Sequence, residues 1–131
     1  MNYLWIAFGS ALGGMARYWV QSFFVRHVSA TFPWGTLAVN VSGCSVIGLF
    51  AALTSPDGRL IAPVNVRQFV MIGICGGYTT FSSFGLETLN LARSSGMGRA
   101  AANVVLSMVL CLTGVWLGYL LGQSFNRLRG F

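Results

Sequence analysis

The chain has 131 residues, 55% of them hydrophobic and 8% charged, with a mean hydropathy of +0.70. So little polar surface excludes a soluble globular domain and points to an integral membrane protein. The net charge of +6 comes from eight arginines and no lysine; most of these arginines flank apolar stretches, where they serve as anchors near anionic lipid, so no nucleic-acid partner is expected.

Four apolar stretches, residues 4–25, 36–53, 69–92 and 100–122, each approach the ~20 residues a helix needs to cross the hydrocarbon. They predict an all-α fold, a single four-helix transmembrane domain over residues 1–131. No Lys or Arg precedes the first stretch, which is also full span length, so it is expected to remain as a helix rather than be cleaved as a signal peptide. Arg17 lies inside it. The second stretch carries Asn40, followed by Ser42, Gly43, Cys44 and Ser45. The Asn40 amide offers two N–H donors and a carbonyl acceptor, which suits either replacement of an ion's hydration shell or an interhelical hydrogen bond.

The third stretch holds the most informative run, Gly76-Gly77-Tyr78-Thr79-Thr80-Phe81-Ser82-Ser83-Phe84. Lipid tolerates a glycine-led polar break only where protein or trapped water satisfies the freed backbone groups, so the third helix is expected to be broken near 76–79 beside an ion or substrate site. If that segment unwinds, its carbonyls suit a hard cation such as Na⁺. Phe81 and Phe84 share a face of the following half-helix, as a packing pair or as ring edges presented to a small anion. Thr80, Ser83 and Glu87 form a neighbouring stripe. Glu87 is an ionisable group within a span, with Arg17 as its expected partner, either in a structural ion pair or beside a permeation route. On the fourth stretch Ser107, Cys111, Gly114 and Gly118 line one weakly polar stripe, a polar track or a close-packing surface.

Four-residue glycine spacings at Gly9/Gly13, Gly73/Gly77 and Gly114/Gly118/Gly122 supply further packing surfaces. Cys44, Cys75 and Cys111 read as small packing residues, because their odd number and spacing fit neither a disulfide framework nor a metal motif. The loops at 26–35, 55–68 and 93–99 are short connectors marked by Pro, Gly and charge. With four spans, Arg59, Arg67, Arg127 and Arg129 fall on one side and Arg26, Arg93 and Arg99 on the other, a weak bias that permits insertion in both orientations. Four helices barely enclose a pathway, and without an internal inverted repeat an antiparallel homodimer is how the chain could obtain inverted symmetry. His27, Asp57 and Glu87 assemble no nucleophile with a base, so no enzyme is expected.

The segments Gly13-Gly14-Met15-Ala16-Arg17-Tyr18, Gly35-Thr36-Leu37-Ala38-Val39-Asn40-Val41-Ser42-Gly43 and Gly73 through Phe84, with Glu87, closely resemble the Fluc (CrcB) family of bacterial fluoride channels. The resemblance implies a dual-topology antiparallel homodimer with two pores in the bacterial inner membrane, passing fluoride passively out of the cytoplasm. It implies that Asn40 donates to the anion, that Phe81 and Phe84 offer ring edges, that Thr80, Ser83 and Ser107 line the pathway, and that Glu87 stands near one end. Gly76 and Thr79 would direct backbone carbonyls to a central structural Na⁺, and Arg17 would sit near a vestibule. The chain departs from the family at Cys111, where a second hydroxyl residue is usual on the fourth helix, and at Tyr78, where a smaller apolar residue is common. Fluoride is small and tightly hydrated, so many weak neutral donors can repay its dehydration without trapping it. Two other classes stay open: a proton-coupled small multidrug exporter, which would want an acid in the first span where this chain has Arg17, and a structural subunit of a larger membrane complex.

Overall fold

The computed structural model describes residues 2–28 and 31–128, which are helical apart from short connections. The helices are α1 (Asn2–His27), α2 (Trp34–Leu53), α3 (64–78), α4 (Phe81–Ser94) and α5 (Met97–Arg127). The helices α3 and α4 are two halves of the expected third span, interrupted at Thr79 and Thr80. Within α3, Gln68–Cys75 is a π-helix. Its wider coil, rare in long runs, ends one short helical turn before the break. Arg129 of the charge comparison lies outside the described residues.

Three helical segments, Trp34–Leu53, Val64–Ser94 and Met97–Arg127, are long and apolar enough to cross a membrane. The α1 helix has the length, but Ser10, Arg17 and Gln21 dilute its apolar residues. Two of those polar groups turn inward, Arg17 reaching Thr79 and Gln21 bonding Thr36, while the Ser10 backbone packs on Gly77. The helices also overrun the apolar stretches. At ~1.5 Å per residue, the 31 residues of α5 extend roughly 46 Å, beyond the hydrocarbon thickness. The expected 93–99 loop contracts to Ser95 and Gly96, because Gly96 adopts φ +96° and reverses the chain in a conformation that costs a glycine little.

Two parallel helix pairs form the bundle. A Cβ on Gly9 would stand 2.8 Å from the Gly73 Cα, and one on Gly77 would stand 2.7 Å from the Ser10 Cα, so α1 and α3 meet backbone to backbone. A Cβ on Gly114 would lie 3.1 Å from Val41 O, one on Gly122 2.8 Å from Leu49 O, and one on Gly118 would collide with Ser45 O. Contact positions on α2 and α5 rise together along both chains, which makes that pair parallel as well. The interior is therefore small: Val39 and Ala52 are fully buried, whereas Leu4, Phe8, Trp19, Leu112 and Trp116 face outward. Lipid tails are as apolar as leucine, so close backbone packing holds such helices together in place of a large-residue core.

One end of the bundle is tied by side chains. Asn126 Nδ2 donates to Ala52 O (2.9 Å) while its Oδ1 accepts from the Arg59 N–H (2.8 Å), and Arg67 Nη1 donates to Thr54 O (2.7 Å). These bonds satisfy carbonyls at the end of α2 that have no intrahelical donor.

The α2–α5 seam makes a direct prediction. Gly118→Val must push the helices apart and is expected to cost about 1–3 kcal/mol through overpacking. Gly98→Ala, where an added Cβ meets nothing within 4 Å, serves as the reference. Thermal unfolding in detergent should show a lower midpoint for Gly118→Val alone; equal midpoints would refute the seam.

Candidate ion pathway at the helix break

The backbone break follows from the sequence at Thr79 and Thr80. Both are β-branched and both take extended geometry, φ −75°, ψ 157° and φ −150°, ψ 116° respectively. Their hydroxyls replace lost backbone bonds. Thr79 Oγ1 donates to Cys75 O (3.0 Å) at the end of α3. Thr80 caps α4: its Oγ1 accepts from the Ser83 N–H (3.2 Å) and donates to Ser83 Oγ (3.0 Å). The break is shorter than 76–79, because Gly76–Tyr78 stays helical and only its carboxyl edge and Thr80 unwind.

Asn40 holds this break from α2. Its Nδ2 donates to Thr80 O (3.0 Å), and its Oδ1 accepts from the Thr80 N–H (2.8 Å). One side-chain amide thus satisfies both backbone groups of a single residue, as a neighbouring strand would. In a continuous helix the Thr80 N–H would bond Gly76 O, and the Ser83 N–H would bond Thr79 O. Both donors are diverted, to Asn40 and to the Thr80 hydroxyl, so the carbonyls of Gly76 and Thr79 lose their helical donors. Arg17 Nη1 approaches Thr79 O at 3.5 Å, a long contact.

Close approach of α2 depends on Gly43, where an added Cβ would collide with Thr79 Cγ2 and lie 3.2 Å from the Tyr78 ring. The Tyr78 hydroxyl meets Ser42 Oγ at 3.0 Å, so it reaches α2 beside the break. Phe81 and Phe84 have ring centroids 5.4 Å apart at 45°, and Phe81 is 80% exposed at the very start of α4.

Glu87 lies in a cleft of about 550 Å³ between the end of α1, the start of α2 and α4, lined also by Gln21, Thr36, Ser83 and Arg99. Gln21 Nε2 donates to Thr36 Oγ1 (3.0 Å), which donates to Glu87 Oε1 (2.8 Å); Oε2 is buried without a partner among the described residues. The expected Glu87–Arg17 pair does not form. Thr36 occupies the carboxylate, and the Arg17 side chain points to Thr79 in a second, more open groove with Ser10, Thr80 and Ser83. Gln21 and Ser83 line both hollows.

The structure therefore brings Asn40, Thr80 and Ser83 into one hydrogen-bonded group beside Thr79, with Phe81 and Phe84 adjoining and Glu87 one turn beyond Ser83. Ser107 lies apart from both hollows, buried on α5. One turn before it, Asn103 is 1% exposed and donates from Nδ2 to Thr88 Oγ1 (2.8 Å), which donates to Phe84 O (2.7 Å). Gln21, Thr36 and Asn103 were not singled out from sequence. Their signals were present: Gln21 follows Arg17 by four residues, and Asn103 precedes Ser107 by four, each sharing a helix face.

Removing the amide tests its role in the backbone. Asn40→Ala leaves the Thr80 N–H and C=O unpaired, at a cost of about 1–3 kcal/mol for each buried group. Hydrogen exchange should accelerate at Thr80, while amides in the middle of α5 stay protected; unchanged protection at Thr80 would show that Asn40 does not hold the break.

The profile of a family described as "CrcB-like protein, Camphor Resistance (CrcB)" matches residues 4–119. A Rhodospirillum rubrum protein named "Fluoride-specific ion channel FluC" is 57% identical over 127 residues, covering 97% of this chain and 98% of its own. Proteins of the same name from Methylocella silvestris and Opitutus terrae are each 52% identical, over 99% of both chains for the first and over 98% of this chain and 97% of its own for the second. Helices apolar enough to cross a membrane and bacterial relatives spanning nearly the whole length make this a multi-pass bacterial membrane protein, and the chain belongs to the CrcB family.

Proposed function

We propose that this chain is a fluoride channel that passes the anion passively out of the cytoplasm, working as an antiparallel homodimer. The observation that carries the reading is the helix break, where an amide, hydroxyls and phenyl rings converge on unwound backbone. Relatives named as fluoride-specific channels share about half or more of its residues along almost its entire length, and they supply the identity of the ion.

Asn40 spends one of its two N–H bonds on Thr80 O, so the second remains to meet the anion. Phe81 and Phe84 turn the positive edges of their rings to it, a contact strong enough to offset dehydration and weak enough to release. The hydroxyls of Thr80, Ser83 and Ser107 extend the polar lining, with Glu87 near one end and Arg17 in a vestibule that draws anions inward. The exposure of Phe81 supports a second copy: in a dimer about an axis in the membrane plane, a ring left bare by one protomer gains a wall from the other. The balanced arginines on the two sides are compatible with insertion either way up.

The carbonyls of Gly76 and Thr79, stripped of helical donors, fit a hard monovalent cation, and we assign them to a central structural Na⁺ shared across the dimer axis. When bound, its charge lowers the cost of holding anions nearby in a low-dielectric bundle. The physiological benefit follows from acid–base chemistry: HF enters from an acidic medium, dissociates in a more neutral cytoplasm and leaves fluoride that the membrane potential drives out through an open path.

Liposomes holding the purified protein, with equal pH on both sides, should release fluoride rapidly without a proton gradient. Asn40→Asp places a negative charge beside the anion, a repulsion of about 4 kcal/mol at 4 Å and an effective dielectric of 20, and should slow efflux by roughly three orders of magnitude. Phe81→Ile removes a ring edge and should also suppress flux. Wild-type rates in both variants would reject these pore roles, and efflux that requires a pH gradient would point to a coupled exporter.

Dual topology has its own test. A cysteine introduced at Ser95, in the turn between α4 and α5, should be labelled by an impermeant reagent from both faces of sealed vesicles, about half from each; labelling from a single face would exclude the antiparallel assembly.

A further inference from the structure

The α2–α5 seam carries a pair of thiols that the proposed pathway does not use. The two helices are parallel, and their backbones come close where Gly48 faces Val115 and Tyr119. One turn earlier on each helix, four residues back, the facing positions are Cys44 and Cys111. The two side chains stand near enough to interact, and both residues are half-buried rather than sealed. Cys75, on α3, is 3% exposed and stands near enough to Cys44 to interact with it electrostatically. No group of three or more His, Cys, Asp or Glu side chains is arranged for a metal among the described residues, so the feature is a pair and not a cage.

Two thiols at facing positions on rigid, parallel helices make a preorganised chelate for a large, polarisable cation that favours sulfur and accepts two-coordinate, linear geometry. Hard cations and zinc want more ligands than the pair provides. We propose that Cys44 and Cys111 form a binding site for a soft d¹⁰ cation of the Ag⁺ and Hg²⁺ class, and that metal held there obstructs conduction. For mercuric chloride, two S–H and two Hg–Cl bonds break, two S–Hg bonds form, and two protons and two chloride ions leave to water, with no change of oxidation state. Neutral mercuric chloride can reach a site within the bilayer. The obstruction follows from position: Cys111 is one turn from Ser107 on the same face of α5, so a bound metal lies on the stripe assigned to the fourth-helix lining. This second half rests on the fluoride-channel reading above; binding itself does not.

The experiment treats purified protein in detergent with mercuric chloride, removes loosely held metal with a monothiol, then counts alkylatable cysteines and measures the mass of the intact chain. In the wild type the three free thiols should fall to one, with the mass of one mercury added per chain. Cys75→Ser should bind as the wild type does, whereas Cys44→Ala and Cys111→Ser should each lose the monothiol-resistant metal. The same reagent added to fluoride-loaded liposomes should inhibit efflux of wild type and Cys75→Ser, and leave Cys44→Ala and Cys111→Ser at their own untreated rates. Absence of resistant metal, resistance that depends on Cys75, or inhibition that persists without Cys44 and Cys111 would overturn the proposal. Untreated wild type that conducts no fluoride while still binding mercury would defeat the channel reading and leave the metal site standing.

Discussion

A helix can be opened inside a membrane only if something replaces the backbone bonds it gives up, and here that replacement is the Asn40 amide. Its paired bonds at 3.0 and 2.8 Å to the carbonyl and N–H of Thr80 turn two unmatched backbone groups into satisfied ones. The rest of the local architecture serves this contact. Gly43 allows α2 to come close enough, Thr79 and Thr80 close the two helix ends with their own hydroxyls, and Tyr78 reaches Ser42 to hold the approach.

The same contact has a chemical by-product. Because the Thr80 N–H is committed to Asn40 and the Ser83 N–H to the Thr80 hydroxyl, the carbonyls of Gly76 and Thr79 lose their helical donors, and only the long Arg17 contact reaches Thr79 O. On the proposed reading, acceptors for a cation and donors for an anion thus arise within a few residues, mostly from neutral groups. That arrangement suits transport better than a cluster of charged side chains would, since a formal charge at low dielectric holds its counter-ion too firmly for rapid passage.

Packing follows the logic of lipid rather than of water. Large side chains such as Leu4, Phe8, Trp19 and Trp116 look outward, while glycines bring backbones together inside. With α1 alongside α3 and α2 alongside α5, two tight parallel pairs form, and the polar residues of α1 find partners inside the bundle. This accounts for a helix less apolar than the other spans: Arg17 and Gln21 turn to partners in the bundle and away from the lipid that would penalise them.

What the sequence determined by itself was whatever depends on residue type and near spacing: the membrane class, the positions of the helices, the interruption at the glycine–threonine run and the glycine seams. Helical periodicity and backbone sterics carry that information locally. Pairings between distant residues were decided by tertiary structure. Glu87 bonds Thr36 instead of Arg17, because the start of α2 lies against α4 while α1 turns its arginine toward Thr79, and opposite charge cannot overrule that geometry. Asn126 locks residues more than sixty positions away, and Cys44 faces Cys111, only because parallel packing sets the register of α2 on α5. Such register comes from how whole helix surfaces fit, a property of two segments together that neither segment's residues state alone.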